Sequence, residues 1–378
     1  MGYMYSFKKN KKYNMIPVNT PLLSGNELKY ITECIQTGWI SSEGPFVARF
    51  EQEFADYIGC KYGIAVSSGS AALDIAFKAI GLGEGDEVIA PTFTIISPIQ
   101  SIVSTGARPV LIDCDPITWN MDVTQIESKI SKSTKAILVV HIYGLPVDMD
   151  PIIQLCDKYN LLLIEDAAEM HGQKYKNKMC GSFGDISIFS FYPNKHITTG
   201  EGGMILTNNF ELFEKSKKLR NLAFEPNGRR FLHKEIGWNY RMTNIQAAIG
   251  VAQLEKIDIH IKRKREIGKR YSDALQNLTN FQLPKKNTKY ADNIYWVFGL
   301  VAENETLANK MVTKLNNAQI GTRPFFWCMH EQPVFNEMGL FLKDKHPNAE
   351  KIARNGFYIP SGLGLTNDEI DFIVNELL

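Results

Sequence analysis

A chain of 378 residues is too long for one compact core, and its 44% hydrophobic and 22% charged content is that of an ordinary globular protein, expected here to divide in two. The 42 basic and 41 acidic side chains leave a net charge of +1, which excludes a global preference for nucleic acid or membrane surfaces. Six scattered cysteines (Cys34, Cys60, Cys114, Cys156, Cys180, Cys328), without a CxxC pair, exclude a zinc site or disulfide framework and fit reduced thiols.

The N-terminal MGYMYS meets the loose myristoylation pattern at Gly2 and Ser6, with Lys8, Lys9, Lys11 and Lys12 behind it. The simpler reading of residues 1–15 is a solvated tail. No apolar run is long enough for a signal peptide or a membrane span, so a cytoplasmic protein is expected. Ser24 and Glu27 form an S-x-x-E capping box ahead of a first helix to about Gln36, and a second helix begins at Ser70. Strand-like and helix-like segments then alternate. EVIAPTFT precedes SPIQSIVSTGA, PVLIDCD precedes TQIESKISK, and AILVVHIYG precedes MDPIIQLCDKYN and LLLIEDAA. Near-continuous apolar strands separated by short helices predict an α/β fold with a mostly parallel sheet covered on both faces.

From Ser182 the period changes, and GDISIFSFY and GGMILTNN read as two strands joined by the lysine segment PNKHITTGE. Thr243 and Gln246 cap one long helix, apolar at first and basic over 262–270, where the charge reads as a solvated face. The expected organisation is a tail over 1–15, a large α/β domain over 16–250, and a linking helix with a small C-terminal α+β domain over 251–378.

Lys195, between FSFY and the glycines of GEGG, admits three readings: a surface lysine, a phosphate-loop lysine or a covalent catalyst. A phosphate loop requires the glycines before the lysine, the reverse of the order found here. The glycines instead suit close backbone approach between two strands. Asp166 ends the strand LLLIED, where open α/β sheets place ligand groups, or else caps a helix. Gly69 and Ser70 lie at a strand-to-helix turn whose N–H groups favour an anion, or form a plain turn capped by Ser70. Pyridoxal phosphate chemistry uses all of these together: a lysine for a Schiff base, a carboxylate for the ring nitrogen and an anion cup for the phosphate. On that reading Lys195 supplies the amine, Asp166 holds the ring nitrogen, and Gly69, Ser70 and Ser190 cradle the phosphate. Phe93 either stacks on the ring or packs in the core.

EDAAEMHG, SFGDISIFSFYPNKHITTGEGGM and GWNYRMTNIQAAIG resemble the nucleotide-sugar aminotransferases of the DegT/StrS type, from about Ile16 to the C-terminus. The resemblance implies a type I PLP-dependent aminotransferase fold acting as a homodimer with shared active sites. It implies that Lys195 is the Schiff-base lysine, that Asp166 is its ring-nitrogen partner, and that Glu169 lies near the cofactor's phenolic oxygen. Asn239 matches the residue that a neighbouring subunit sends to the phosphate. Lysine is retained where some members carry histidine and dehydrate the sugar, so transamination is expected. TGWISSEGPFVARFE, NKHITTGEGGM and GTRPFF are most similar to those members that aminate GDP-4-keto-6-deoxymannose at C4 with L-glutamate as donor. UDP- or dTDP-linked sugars, amination at C3, a dehydratase and a non-catalytic cofactor-binding regulator stay open. Trp39, Ser41, Arg323 and His330 are candidates for the substrate; Arg323 could equally form a surface ion pair and His330 pack in the interior.

Overall fold

The computed structural model describes residues 15–225 and 228–378. The myristoylation reading lies outside the described residues. Helices α1 (Glu27–Thr37) and α2 (Pro45–Ile58) lead into β1 (Tyr62–Val66) and α3 (Gly69–Ala79). There follow β2 (Glu87–Pro91), α4 (Ile96–Ser104), β3 (Arg108–Ile112), β4 (Thr134–Val140), α5 (Met149–Tyr159) and β5 (Leu162–Asp166). A short hairpin, β6 (Lys174–Tyr175) and β7 (Lys178–Met179), precedes β8 (Ile186–Ser190), β9 (Gly203–Thr207), α6 (Phe210–Arg220) and α7 (Asn244–Leu254). The remainder comprises α8 (Ile257–Ala274), β10 (Phe281–Gln282), β11 (Phe298–Ala302), α9 (Glu305–Asn317) and β12 (Arg323–Pro324). It ends with α10 (Pro333–Glu337), α11 (Pro347–Asn355), β13 (Gly356–Ile359) and α12 (Asn367–Leu377).

Seven strands form one sheet in the order β1-β9-β8-β5-β4-β2-β3, parallel throughout except for β9, which runs against both of its neighbours. The apolar runs of β4 and β5 are buried on both faces, as a doubly covered sheet demands. A second, antiparallel sheet has the order β10-β11-β13-β12. The α/β architecture with a small C-terminal sheet is that read from the sequence. Parallel strands bring the ends of β1, β2, β4, β5 and β8 to one edge, and there the site forms.

Several local expectations are corrected. Ser24 caps nothing: the first helix starts from Asn26, and the Glu27 carboxylate turns inward, accepting from Gly25 N–H (2.8 Å) and Gln253 Nε2 (2.6 Å). The cap of α3 is Ser68, not Ser70; its hydroxyl accepts from Ala71 N–H at 3.1 Å. TQIESKISK makes two single 3₁₀ turns, because the Asp122 carboxylate captures the Thr124 N–H and hydroxyl and the Gln125 amide. The expected long helix is broken into α7 and α8 at Glu255 and Lys256, where Asn26, Tyr30 and Arg49 all donate to the Glu255 carboxylate. The basic face is not wholly solvated, since Lys264 is buried.

Candidate active site

Two glycines build the floor of the site. A Cβ on Gly69 would lie 2.9 Å from the Ser190 Cβ, and one on Gly203 would meet the Ser68 carbonyl oxygen and lie 2.9 Å from the Gly69 nitrogen. Only bare backbone lets β9 and β8 approach the first turn of α3 this closely. The result is a cleft of about 380 Å³ walled by Ser68, Gly69, Ser70, Ser190, Thr94 and Ser97, with Asp166, Glu169 and Lys195 deeper in. The Ser70 and Ser97 hydroxyls share a hydrogen bond (2.8 Å) beside the first N–H groups of the helix, those of Gly69 and Ser70, which have no acceptor among the described residues.

Asp166 is 3% exposed; Ala168 N–H donates to its Oδ1 (3.0 Å), while burial raises the carboxyl to about 6 against the pull of that hydrogen bond and Lys195. Next to it, Glu165 turns to the opposite face of β5. Its carboxylate accepts from His141 Nε2 (3.0 Å), Phe183 N–H and Gly184 N–H. His141 Nδ1 accepts from Val147 N–H (3.1 Å), which fixes the tautomer, and this network holds the end of β5 still. Glu169, held by Tyr143 N–H on Oε2 (2.6 Å), is raised to about 8 by burial. Lys195 Nζ lies 4.0 Å from Glu169 Oε1 and 4.0 Å from the centre of the Trp296 ring. Burial lowers the Lys195 amine, and the two carboxyls only partly restore it. A partly neutral amine is a nucleophile.

The structure thus brings Gly69, Ser70, Asp166, Glu169, Ser190 and Lys195 together, and Arg323 from β12 reaches the same cleft with no ion-pair partner among the described residues. Phe93 does not join them. It is 1% exposed within a cluster of Tyr143, Phe325 and Phe326, leaving Thr94 and Ile95 from that strand end in the cleft wall. His330 is also interior: its Nε2 donates to Glu350 Oε1 (3.1 Å) and its Nδ1 accepts from the Thr92 hydroxyl (2.8 Å), tying a 3₁₀ turn to the end of β2. Trp39 and Ser41 sit in an exposed loop outside the cleft, fastened through their carbonyls by Asn244 (2.7 and 2.8 Å). Asn239 is exposed and outside the cleft of its own chain. Sequence reasoning missed four aromatic walls: Tyr192 and Phe326, which lie inside the quoted motifs but carried no sign of which way their rings turn, and Trp296 and Tyr358, which come from distant segments with no motif of their own.

The fit to a phosphorylated pyridine aldehyde is specific. A carboxylate stripped of water has one oxygen occupied by backbone, an amine stands within reach of two carboxyls, and a serine-rich helix start closes the far side. Such a cleft at the carboxyl edge of a mostly parallel seven-stranded sheet defines the class of pyridoxal phosphate-dependent aminotransferases. The chain belongs to the DegT/DnrJ/EryC1/StrS aminotransferase family, whose model matches residues 21–378. It is 43% identical to a GDP-perosamine synthase of Escherichia coli O157:H7, over 96% of this chain and 97% of the relative, and 42% identical to one of Caulobacter vibrioides, over 96% and 97%. The aminotransferase TlmJ from Streptoalloteichus hindustanus superposes with a TM-score of 0.90 at 27% identity, covering 96% of this chain and 98% of that one. The protein is a pyridoxal phosphate-dependent sugar aminotransferase.

Proposed function

We propose that the enzyme transfers an amino group from L-glutamate to C4 of GDP-4-keto-6-deoxymannose, giving GDP-perosamine. The observation that carries this reading is the Lys195 amine, poised between Asp166 and Glu169, in a chain 40–43% identical to three GDP-perosamine synthases. Bound pyridoxal phosphate supplies the aldehyde that carries the amino group between substrates and the ring that spreads the electron pair left by proton removal.

Each side chain then has a task. Lys195 Nζ holds the cofactor covalently, and once displaced it takes the α-proton of glutamate and later delivers a proton to C4 of the sugar. Asp166 becomes a carboxylate against the cationic ring nitrogen. Glu169, protonated near neutrality, donates a hydrogen bond to the cofactor's phenolic oxygen. Ser70, Ser190 and the N–H groups at the start of α3 receive the phosphate. Arg323, at the cleft wall and without an ion-pair partner among the described residues, binds a substrate carboxylate or diphosphate through its fork. In a homodimer Asn239 reaches the partner's phosphate site, and Trp39 and Ser41 border the partner's cleft instead of their own. Among the described residues no helix is long and apolar enough to cross a membrane; we read the enzyme as cytoplasmic, where nucleotide sugars are made.

The test is a mass-spectrometric product assay with glutamate and GDP-, UDP- and dTDP-linked 4-keto-6-deoxyhexoses. GDP-linked amino sugar is expected; equal or better turnover of another nucleotide would displace the reading. Lys195→Ala should lose both turnover and the borohydride-trapped cofactor. A variant that still transaminates at the wild-type rate would refute the assigned mechanism.

A further inference from the structure

Trp296 is 3% exposed and touches the catalytic amine, yet it comes from the segment leading into β11, a hundred residues away. Three attachments hold it. Its Nε1 donates to the carbonyl of Asn194, the residue before Lys195, at 2.9 Å. Its own carbonyl accepts from the buried Lys264 Nζ at 2.8 Å. Its ring packs on Tyr143 (centroids 5.9 Å, planes 32° apart), whose N–H donates to Glu169. The indole is therefore fixed relative to both the lysine's backbone and the carboxyl opposite, with its face presented to Lys195 Nζ at 4.0 Å.

An ammonium in this cleft has little water to solvate it, and an aromatic face is the one apolar surface that attracts a cation. We propose that the Trp296 ring is the resting seat of the Lys195 ammonium: whenever the amine is free and protonated it lies on the indole face, which fixes its position and strengthens its hold on the proton. This deepens the reading of Lys195 as the proton carrier and makes Trp296 a positioning residue acting through it.

Other groups also face this nitrogen. Asp166 and Glu169 favour its charge. His171 and His196 are near enough to feel the Lys195 charge and are themselves kept neutral by burial. Tyr192, Tyr358 and Arg323 line the cleft, and Lys264 lies beyond the indole. All of them persist when the ring alone is changed, so comparison of ring variants isolates its effect.

The test uses the full-length enzyme labelled with 5-fluorotryptophan and loaded with the aminated cofactor, the state in which Lys195 carries no bond, and repeats it without cofactor. Trp296→Phe assigns the resonance. The Trp296 signal is expected to titrate with pH, and that titration to vanish in Lys195→Met. In parallel, competitive acetylation read by mass spectrometry gives the Lys195 midpoint. It should fall by about 1 pH unit in Trp296→Met and remain nearer wild type in Trp296→Phe. A fluorine signal indifferent to Lys195→Met would overturn the proposal, as would a Met variant with an unchanged or raised midpoint, or Phe and Met variants shifted alike. The fluorine experiment stands even where the Met variant does not fold. Failure of the chain to bind cofactor would strike the catalytic reading alone, since the cofactor-free titration is independent of it.

Discussion

Glu169 carries its proton at neutral pH only because it is buried beside a lysine that burial has also weakened. An acid raised from about 4.5 to about 8 binds more protons folded than unfolded between those values. Stability is therefore greatest below the unfolded value and is lost as pH rises toward 8. Glu169→Gln removes that dependence while keeping the acceptor for Tyr143 N–H. In cofactor-free protein the two should denature alike near pH 4.5, and the Gln variant should be more stable by about 1–3 kcal/mol at pH 8.5. Urea titration across that range checks it; a wild type that gains on the variant as pH rises would contradict the assignment. Such roles were only partly legible. Lys195 and Asp166 could be found because strand ends and glycine order constrain them locally. Phe93 stayed open between the ring and the core because a strand-end aromatic can turn to either face of the sheet, and the pocket of Tyr143, Phe325 and Phe326 that decides for the core is assembled from 143 and from 325–326.

At the scale of elements, the first turn of α3 is held in register by β9. Gly203→Ala would drive a methyl into the Ser68 carbonyl and force the cup open. Cofactor affinity should fall tenfold or more, with about 1–3 kcal/mol lost in stability, measured by cofactor titration and thermal melts. Unchanged affinity would mean that the helix start does not bind the phosphate. The strands were readable because a doubly covered sheet needs continuous apolar runs. Helix α2 was overlooked although Phe46, Phe50, Phe54 and Ile58 recur at helical spacing, because its stretch also read as a motif. The break between α7 and α8 had no marker: LEKID contains neither proline nor glycine, and side chains from α1 and α2 hold Glu255.

Across the whole molecule, Lys264 fastens α8 to the small-sheet side. Its buried Nζ donates to the carbonyls of Trp296 (2.8 Å) and Ser361 (2.5 Å), one ahead of β11 and one after β13. A basic charge in a run of others gave no sign of this, since burial is decided by packing at long range. Burial lowers the Lys264 amine from its ordinary value to about 7. Folded protein then binds fewer protons than unfolded protein between about 7 and 10.5, so the cost of burying the ammonium is full below 7 and relieved as pH rises. Lys264→Met matches the stem but leaves two buried carbonyls without a donor, at about 1–3 kcal/mol each. The Met variant should therefore melt below wild type. Its deficit should be smallest near pH 6, where wild type still carries the buried charge, and should widen toward pH 10. Because Trp296 loses its anchor, the variant should also move the Lys195 acetylation midpoint. Parallel melts and acetylation across pH 6–10 test both effects, and a deficit that fails to widen with rising pH would show that Lys264 stays charged throughout, bound as an ammonium by its two carbonyls.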